Sequence, residues 1–266
     1  MKQILIFGLG YTASRLSSSL EERGWRINAT GKIGNLDFSS DNQIKTAINE
    51  ASHILSSVPP DRKTGNDPVL ERYGAFLNAK WIGYLSSTGV YGDTQGAWVD
   101  ESTPTIFETG KGRRNARAAA DAEWLKMGAR VFRLPGIYGP GRSALDRVRQ
   151  GTAKRINLPN QIFSRIHVDD IVSAVISAIE KGAPAGSYNL SDNHPSNGNL
   201  VIEKACSLLG LELPEMQSLS EADLTEASLG FYKESRRVAN RKAKRVLQWE
   251  PRYSSYREGL VALSGV

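Results

Sequence analysis

The chain has 266 residues, 40% of them hydrophobic and 23% charged, which suits one large α/β core with a small second lobe. No apolar run nears the roughly 20 residues that cross a bilayer, the apolar start is too short for a signal peptide, and a single cysteine, Cys206, rules out an internal disulfide or thiolate zinc cluster. The +6 formal charge gathers at Lys111, Arg113, Arg114 and Arg117 and from Arg236 to Arg245, but no base-stacking motif accompanies it, so nucleic acid is a poor fit.

In chain order, a buried-strand pattern over 2–7 leads into Gly8-Leu9-Gly10-Tyr11-Thr12-Ala13 and a helix with Leu16 and Leu20 on one face. In this G-x-G-x-x-A turn Gly8 permits the bend, Gly10 lets a pyrophosphate approach, and Ala13 allows close helix–strand packing. The helix start then offers free amides and its positive dipole end to the diphosphate. Gly8, Gly10, Tyr11 and Thr12 are therefore candidate cofactor residues.

Strands are predicted over 26–30, 35–38, 53–58, 81–86 and 130–133, with helices over 41–50, 69–78 and 113–126. Residues 93–110 read as irregular. The β-α-β alternation predicts an α/β fold with a doubly wound parallel sheet. After the second strand, NAD-selective sites usually carry an acidic residue and NADP sites a cation. Here no carboxylate precedes Asp37, and Lys32 stands where a 2′-phosphate partner would. NADP is favoured over NAD, with Asp37 and the end of the 53–58 strand, Ser57 and Pro59, as further candidate contacts.

Leu85-Ser86-Ser87-Thr88-Gly89-Val90-Tyr91-Gly92, Arg133-Leu134-Pro135-Gly136-Ile137-Tyr138-Gly139-Pro140-Gly141 and Arg165-Ile166-His167-Val168-Asp169-Asp170-Ile171 resemble landmarks of the extended short-chain dehydrogenases/reductases. Tyr188 to Asp192 and Tyr253 to Leu260 are similar to the same family. The resemblance implies a Rossmann domain (1–136 and 164–192), a smaller C-terminal substrate lobe (137–163 and 193–250) and a C-terminal segment (251–266). It also implies a helix over 168–181, a substrate pocket between the lobes, and Pro135 bordering the nicotinamide. Ser87, four residues before Tyr91, and its neighbour Thr88 match the family's catalytic hydroxyl. Asp169 and Asp170 suit a helix N-terminus, and His167 and His53 structural positions.

One departure matters. Such enzymes use Tyr-x-x-x-Lys on the helix after the irregular segment, and no tyrosine occurs between Tyr91 and Tyr138. One register puts Asn115 and Ala119 at the two positions, and a two-residue shift puts Arg113 and Arg117 there. The two arginines share a helix face and suit an anion, since a guanidinium holds a carboxylate or phosphate but does not exchange protons. Tyr91 and Tyr138 are candidate replacements for the missing phenol, with Tyr138 also a candidate substrate contact. The expectation is a cytoplasmic, metal-free, NADP-dependent oxidoreductase or epimerase-like enzyme with an altered tetrad, acting on a small, anionic molecule. The alternative is an NADP-binding sensor or regulatory protein with little turnover.

Overall fold

The computed structural model describes residues 2–61, 63–106 and 113–265. β1 (Gln3–Phe7) is buried throughout, with Ile4 and Ile6 in one apolar layer and Leu5 and Phe7 in the other. A strand covered on both faces needs such an unbroken apolar run. There follow α1 (Tyr11–Glu21), β2 (Arg26–Ala29), α2 (Asp41–Glu50), β3 (His53–Ser56), α3 (Pro68–Tyr73), β4 (Trp81–Ser87) and β5 (Trp98–Val99). The middle of the chain supplies α4 (Arg113–Lys126), β6 (Arg130–Leu134), β7 (Gly136–Tyr138), α5 (Ala144–Arg149), β8 (Arg155–Ile156) and β9 (Arg165–His167). Next come α6 (Val168–Glu180), β10 (Gly186–Asn189), α7 (Gly198–Leu209), β11 (Met216–Gln217) and α8 (Glu226–Tyr232). β12 (Arg237–Val238), α9 (Arg241–Leu247) and α10 (Tyr256–Ser264) complete the order.

Six strands form one sheet, β10-β6-β4-β3-β1-β2, with every neighbouring pair parallel. The sheet is wound outward in both directions from β1, so a crevice opens beyond the carboxyl ends of β1 and β3. α1, α6 and α9 cover one face, and α2, α3 and α4 the other. A separate apolar core joins α5, α7 and α10 through Leu145, Ile202, Cys206 and Tyr256. This is the smaller lobe. Among the described residues no helix is long and apolar enough to cross a membrane.

Three expectations need correction. Residues 35–38 form no strand, only a bridge between Thr30 and Leu36. Gly31, at φ +115°, turns the chain back, and the Asn35 side chain takes the Ala29 amide (2.8 Å) that a ladder would use. The helix expected over 69–78 starts at Pro68 behind an Asp67 cap and ends at Tyr73, continuing as a short 3₁₀ turn, Gly74–Phe76. The lobe boundary also moves. α9 places Ala243 and Leu247 in the large core with α6, whereas α10, drawn outside the lobe, packs inside it.

Candidate active site

The glycine turn is pinned by the strands on either side. The amides of Gly8 and Leu9 donate to Oγ1 and the carbonyl of Thr30 (3.0 and 2.8 Å), and the Ser57 hydroxyl donates to the Gly8 carbonyl. Gly8 has φ +84°, and a Cβ there would lie 2.9 Å from Val58 Cγ2, so no larger residue fits without strain. A Cβ on Gly10 would meet nothing within 4 Å. Gly10 caps α1 without a side chain, and the first helical bond runs from Ser14 N to Gly10 O at 2.8 Å. No side chain caps the opening amides of α1, which leaves them available to a diphosphate. Tyr11 crosses to the neighbouring loop, its hydroxyl donating to Pro140 O at 3.1 Å, with the Arg142 guanidinium 5.6 Å from its ring.

Beyond β2, Lys32 is exposed. Asp37 is committed locally: the amide and hydroxyl of Ser39 donate to it (2.9 and 2.8 Å) and hold its carboxyl below the usual range. Pro59 is exposed after β3, and Pro135 is half-buried at the end of β6.

Ser87 is the last residue of β4. Its Oγ accepts the Gly89 amide at 3.1 Å, capping the 3₁₀ turn Thr88–Tyr91, and the side chain is half-buried. Thr88 is buried. Behind them lies a buried polar network. Ser86 donates to Asp121 (2.6 Å), Asp121 pairs with Arg133, and Arg133 Nη1 donates to the Tyr91 hydroxyl (2.9 Å), which donates to Asn189 Oδ1 (2.8 Å). Burial raises the Tyr91 phenol, against the lowering effect of Arg133 and Asn189. Tyr138 is also buried, its hydroxyl 3.5 Å from the Ser255 carbonyl and against Gly259, and burial raises it strongly.

On α4, Arg117, Asp121 and Trp124 face β4: Arg117 Nη1 donates to the Tyr84 hydroxyl (3.2 Å), and Trp124 stacks on the Tyr84 ring at 5.2 Å. Arg117 therefore reaches into the layer beneath β4 and is not among the residues lining the cavity described below. The side chain of Arg113 lies outside the described residues. His167 caps α6, its Nδ1 accepting the Asp169 amide. Asp169 pairs with Arg15 at 2.7 Å, and Asp170 takes the amides of Arg252 and Tyr253. These three residues fasten elements together. Part of the second basic cluster is likewise engaged internally, Arg236 with Gly92, Thr88 and Glu234, Arg237 with Gly96, and Lys244 with Glu250.

A cavity of about 780 Å³ lies between β7, β9 and the helices of the smaller lobe. Tyr138 lines it, together with Arg142, Arg147, Phe163, Arg165 and Tyr256, which the sequence did not single out as ligand contacts. The strand alternation Arg165-Ile166-His167 was the available signal, but three residues are too few to assign a face. Among the described residues no group of three or more His, Cys, Asp or Glu side chains could hold a metal ion.

No family model matches the chain. A solved structure of a functionally unknown conserved protein from Silicibacter pomeroyi DSS superposes with a TM-score of 0.87 at 37% identity, covering 100% of this chain and 99% of the other. Protein YeeZ of Escherichia coli (strain K12) is 26% identical over 250 residues, 82% of this chain and 88% of that protein. A dTDP-glucose 4,6-dehydratase from Bacillus anthracis, solved in complex with NAD, aligns with a TM-score of 0.76 at 18% identity, over 100% of this chain and 96% of the other. The chain thus belongs to one family with the Silicibacter pomeroyi protein, and its fold is that of the extended short-chain dehydrogenases/reductases.

Proposed function

We propose that the protein binds a nicotinamide dinucleotide beyond β1 and β3, NADP in preference to NAD, for oxidoreductase or epimerase-like chemistry on a small molecule in the cavity. The glycine turn carries this reading: open space over Gly10, and α1 amides that no side chain caps. The NAD complex of the Bacillus anthracis dehydratase, which shares the fold, supports a nicotinamide cofactor. Exposed Lys32 supports NADP, and Asp37, held by Ser39, offers little to a ribose hydroxyl. A single buried cysteine fits a cytoplasmic setting.

A bound nicotinamide supplies hydride exchange. The chain supplies the turn, the crevice walls and the Ser87 hydroxyl, which accepts from Gly89 and keeps its own proton for a substrate oxygen. Tyr91 spends its hydroxyl on Arg133 and Asn189, which leaves it a packing role. That observation also favours a second reading, in which the protein binds NADP as a sensor with little turnover. Titration with NADPH and NADH, followed by a panel of carbonyl compounds and nucleotide sugars, tests both. NADPH should bind at least about tenfold more tightly, a difference of about 1.4 kcal/mol. Equal affinities refute the NADP assignment, and no binding of either refutes the cofactor. Binding without turnover on any compound selects the sensor.

A further inference from the structure

Arg165 is held in an unusual way. Its guanidinium lies 5.8 Å from the Phe163 ring and 5.9 Å from the Tyr256 ring. Nη1 donates to the carbonyls of Phe163 and Ser196 and to Ser196 Oγ, at 3.0, 3.1 and 2.9 Å. Those contacts fix the plane of the group but use one nitrogen. Nε and Nη2, the edge that takes an oxyanion through two parallel bonds, have no hydrogen bond to a described residue. Among the described residues Arg165 also forms no ion pair. Asp192 attracts it without a hydrogen bond between them, and burial pushes the guanidinium down to about 10. Arg165 lines the cavity.

Among the described residues no acidic side chain of the cavity wall pairs with it. Asp146 accepts from the amide and hydroxyl of Ser143, and Lys154 donates to the carbonyls of Ala222 and Asp223. Arg147 also lines the space and repels Arg165. Arg142, Arg147, Lys154 and Arg165 thus line the cavity against Asp146 and Asp223, a cationic excess, and Val201, Ile202 and Leu260 supply apolar lining. A half-buried cation without a contacting counter-ion loses hydration that nothing replaces, and a ligand that brings the negative charge offsets that loss.

We propose that the cavity binds organic anions, with the oxyanion of a carboxylate or phosphate on the Nε–Nη2 edge of Arg165, Arg147 balancing its charge, and an apolar body against Val201, Ile202 and Leu260. This site lies at β9, apart from the anion-binding role expected of Arg113 and Arg117 on α4. It makes Arg165 a specificity-determining residue, and rests on the proposed function only in treating the occupant as substrate.

The test is calorimetric titration of the full-length protein, without cofactor, with 3-phenylpropanoate, its neutral amide 3-phenylpropanamide, and phenyl phosphate. The acid should bind at least tenfold more tightly than the amide, and the stronger of the two anions identifies the oxyanion. Arg165→Lys, which keeps the charge but not the fork, should bring acid and amide within about threefold. Arg147→Gln, at an exposed helical position, should lower the preference several-fold, so the result does not depend on how Arg165→Lys folds. Equal binding of acid and amide, no binding of any probe, or full preference in both variants overturns the proposal. NADPH titration of the same samples reports on the dinucleotide site separately, since neither arginine belongs to the glycine turn.

Discussion

Asp121 and Arg133 meet between α4 and the sheet as a two-bond pair, Nη2 to Oδ1 at 2.7 Å and Nε to Oδ2 at 3.1 Å, with both side chains almost fully buried. Removing one partner leaves an uncompensated charge in the interior, which typically costs about 3–5 kcal/mol. Asp121→Ala should lower the unfolding free energy by that amount in urea titrations. The double variant Asp121→Ala/Arg133→Met should recover part of it. A single-variant loss below about 1 kcal/mol would mean the pair is dispensable.

Lys32→Glu should reverse cofactor preference. A charge-assisted phosphate contact contributes about 1.5–3 kcal/mol, so NADPH should bind roughly ten- to a hundredfold more weakly while NADH changes little. Fluorescence titration of both cofactors checks this, and a parallel loss for the two would remove Lys32 from the phosphate site.

Ser87→Ala has two separable effects. The Gly89 amide loses its acceptor, which should cost about 0.5–2 kcal/mol of stability. Any turnover should also fall, with NADPH affinity retained. Unchanged turnover alongside the stability loss would leave Ser87 as a cap alone.

Asp192 gives a pH signature. Burial raises its carboxyl to about 7 from an ordinary 3.8, against the lowering effects of the His194 amide and Arg165, and with Asp170 and Glu258 adding repulsion. Between those values the folded chain holds a proton that the unfolded chain has released. Stability from this group therefore declines as pH rises from about 4 and is lost above about 7. Asp170, raised to about 6 by burial, acts in the same direction. Asp192→Asn keeps an acceptor for His194 and cannot ionise, so its melting temperature should gain on the parent between pH 5 and pH 8. A constant difference across that range would show that Asp192 does not titrate there.

What the residues revealed in advance was local. The glycine turn and the run of β1 define their own geometry, and the helix predicted over 113–126 has the bounds of α4. Residues 35–38 were misjudged because an apolar-polar alternation of four residues cannot show that Asn35 and Asp37 satisfy the backbone themselves. α9 could not be assigned to a lobe from its composition, since only tertiary packing shows which core receives Ala243 and Leu247. The same limit applies to Arg165. Its placement depends on Tyr256, 91 positions later, and no local pattern links the two.

The participation of α10 in the cavity wall through Tyr256 and Leu260 has a consequence for biosynthesis. Domains fold as the chain emerges, N-terminal parts first. The turn at Gly8–Gly10 leaves the ribosome early and can close as soon as β2 and β3 follow, whereas the small lobe lacks a wall until residues 256–260 are out. A nascent chain stalled before that point would carry the dinucleotide crevice beside an exposed apolar face of α5 and α7, a natural target for a chaperone.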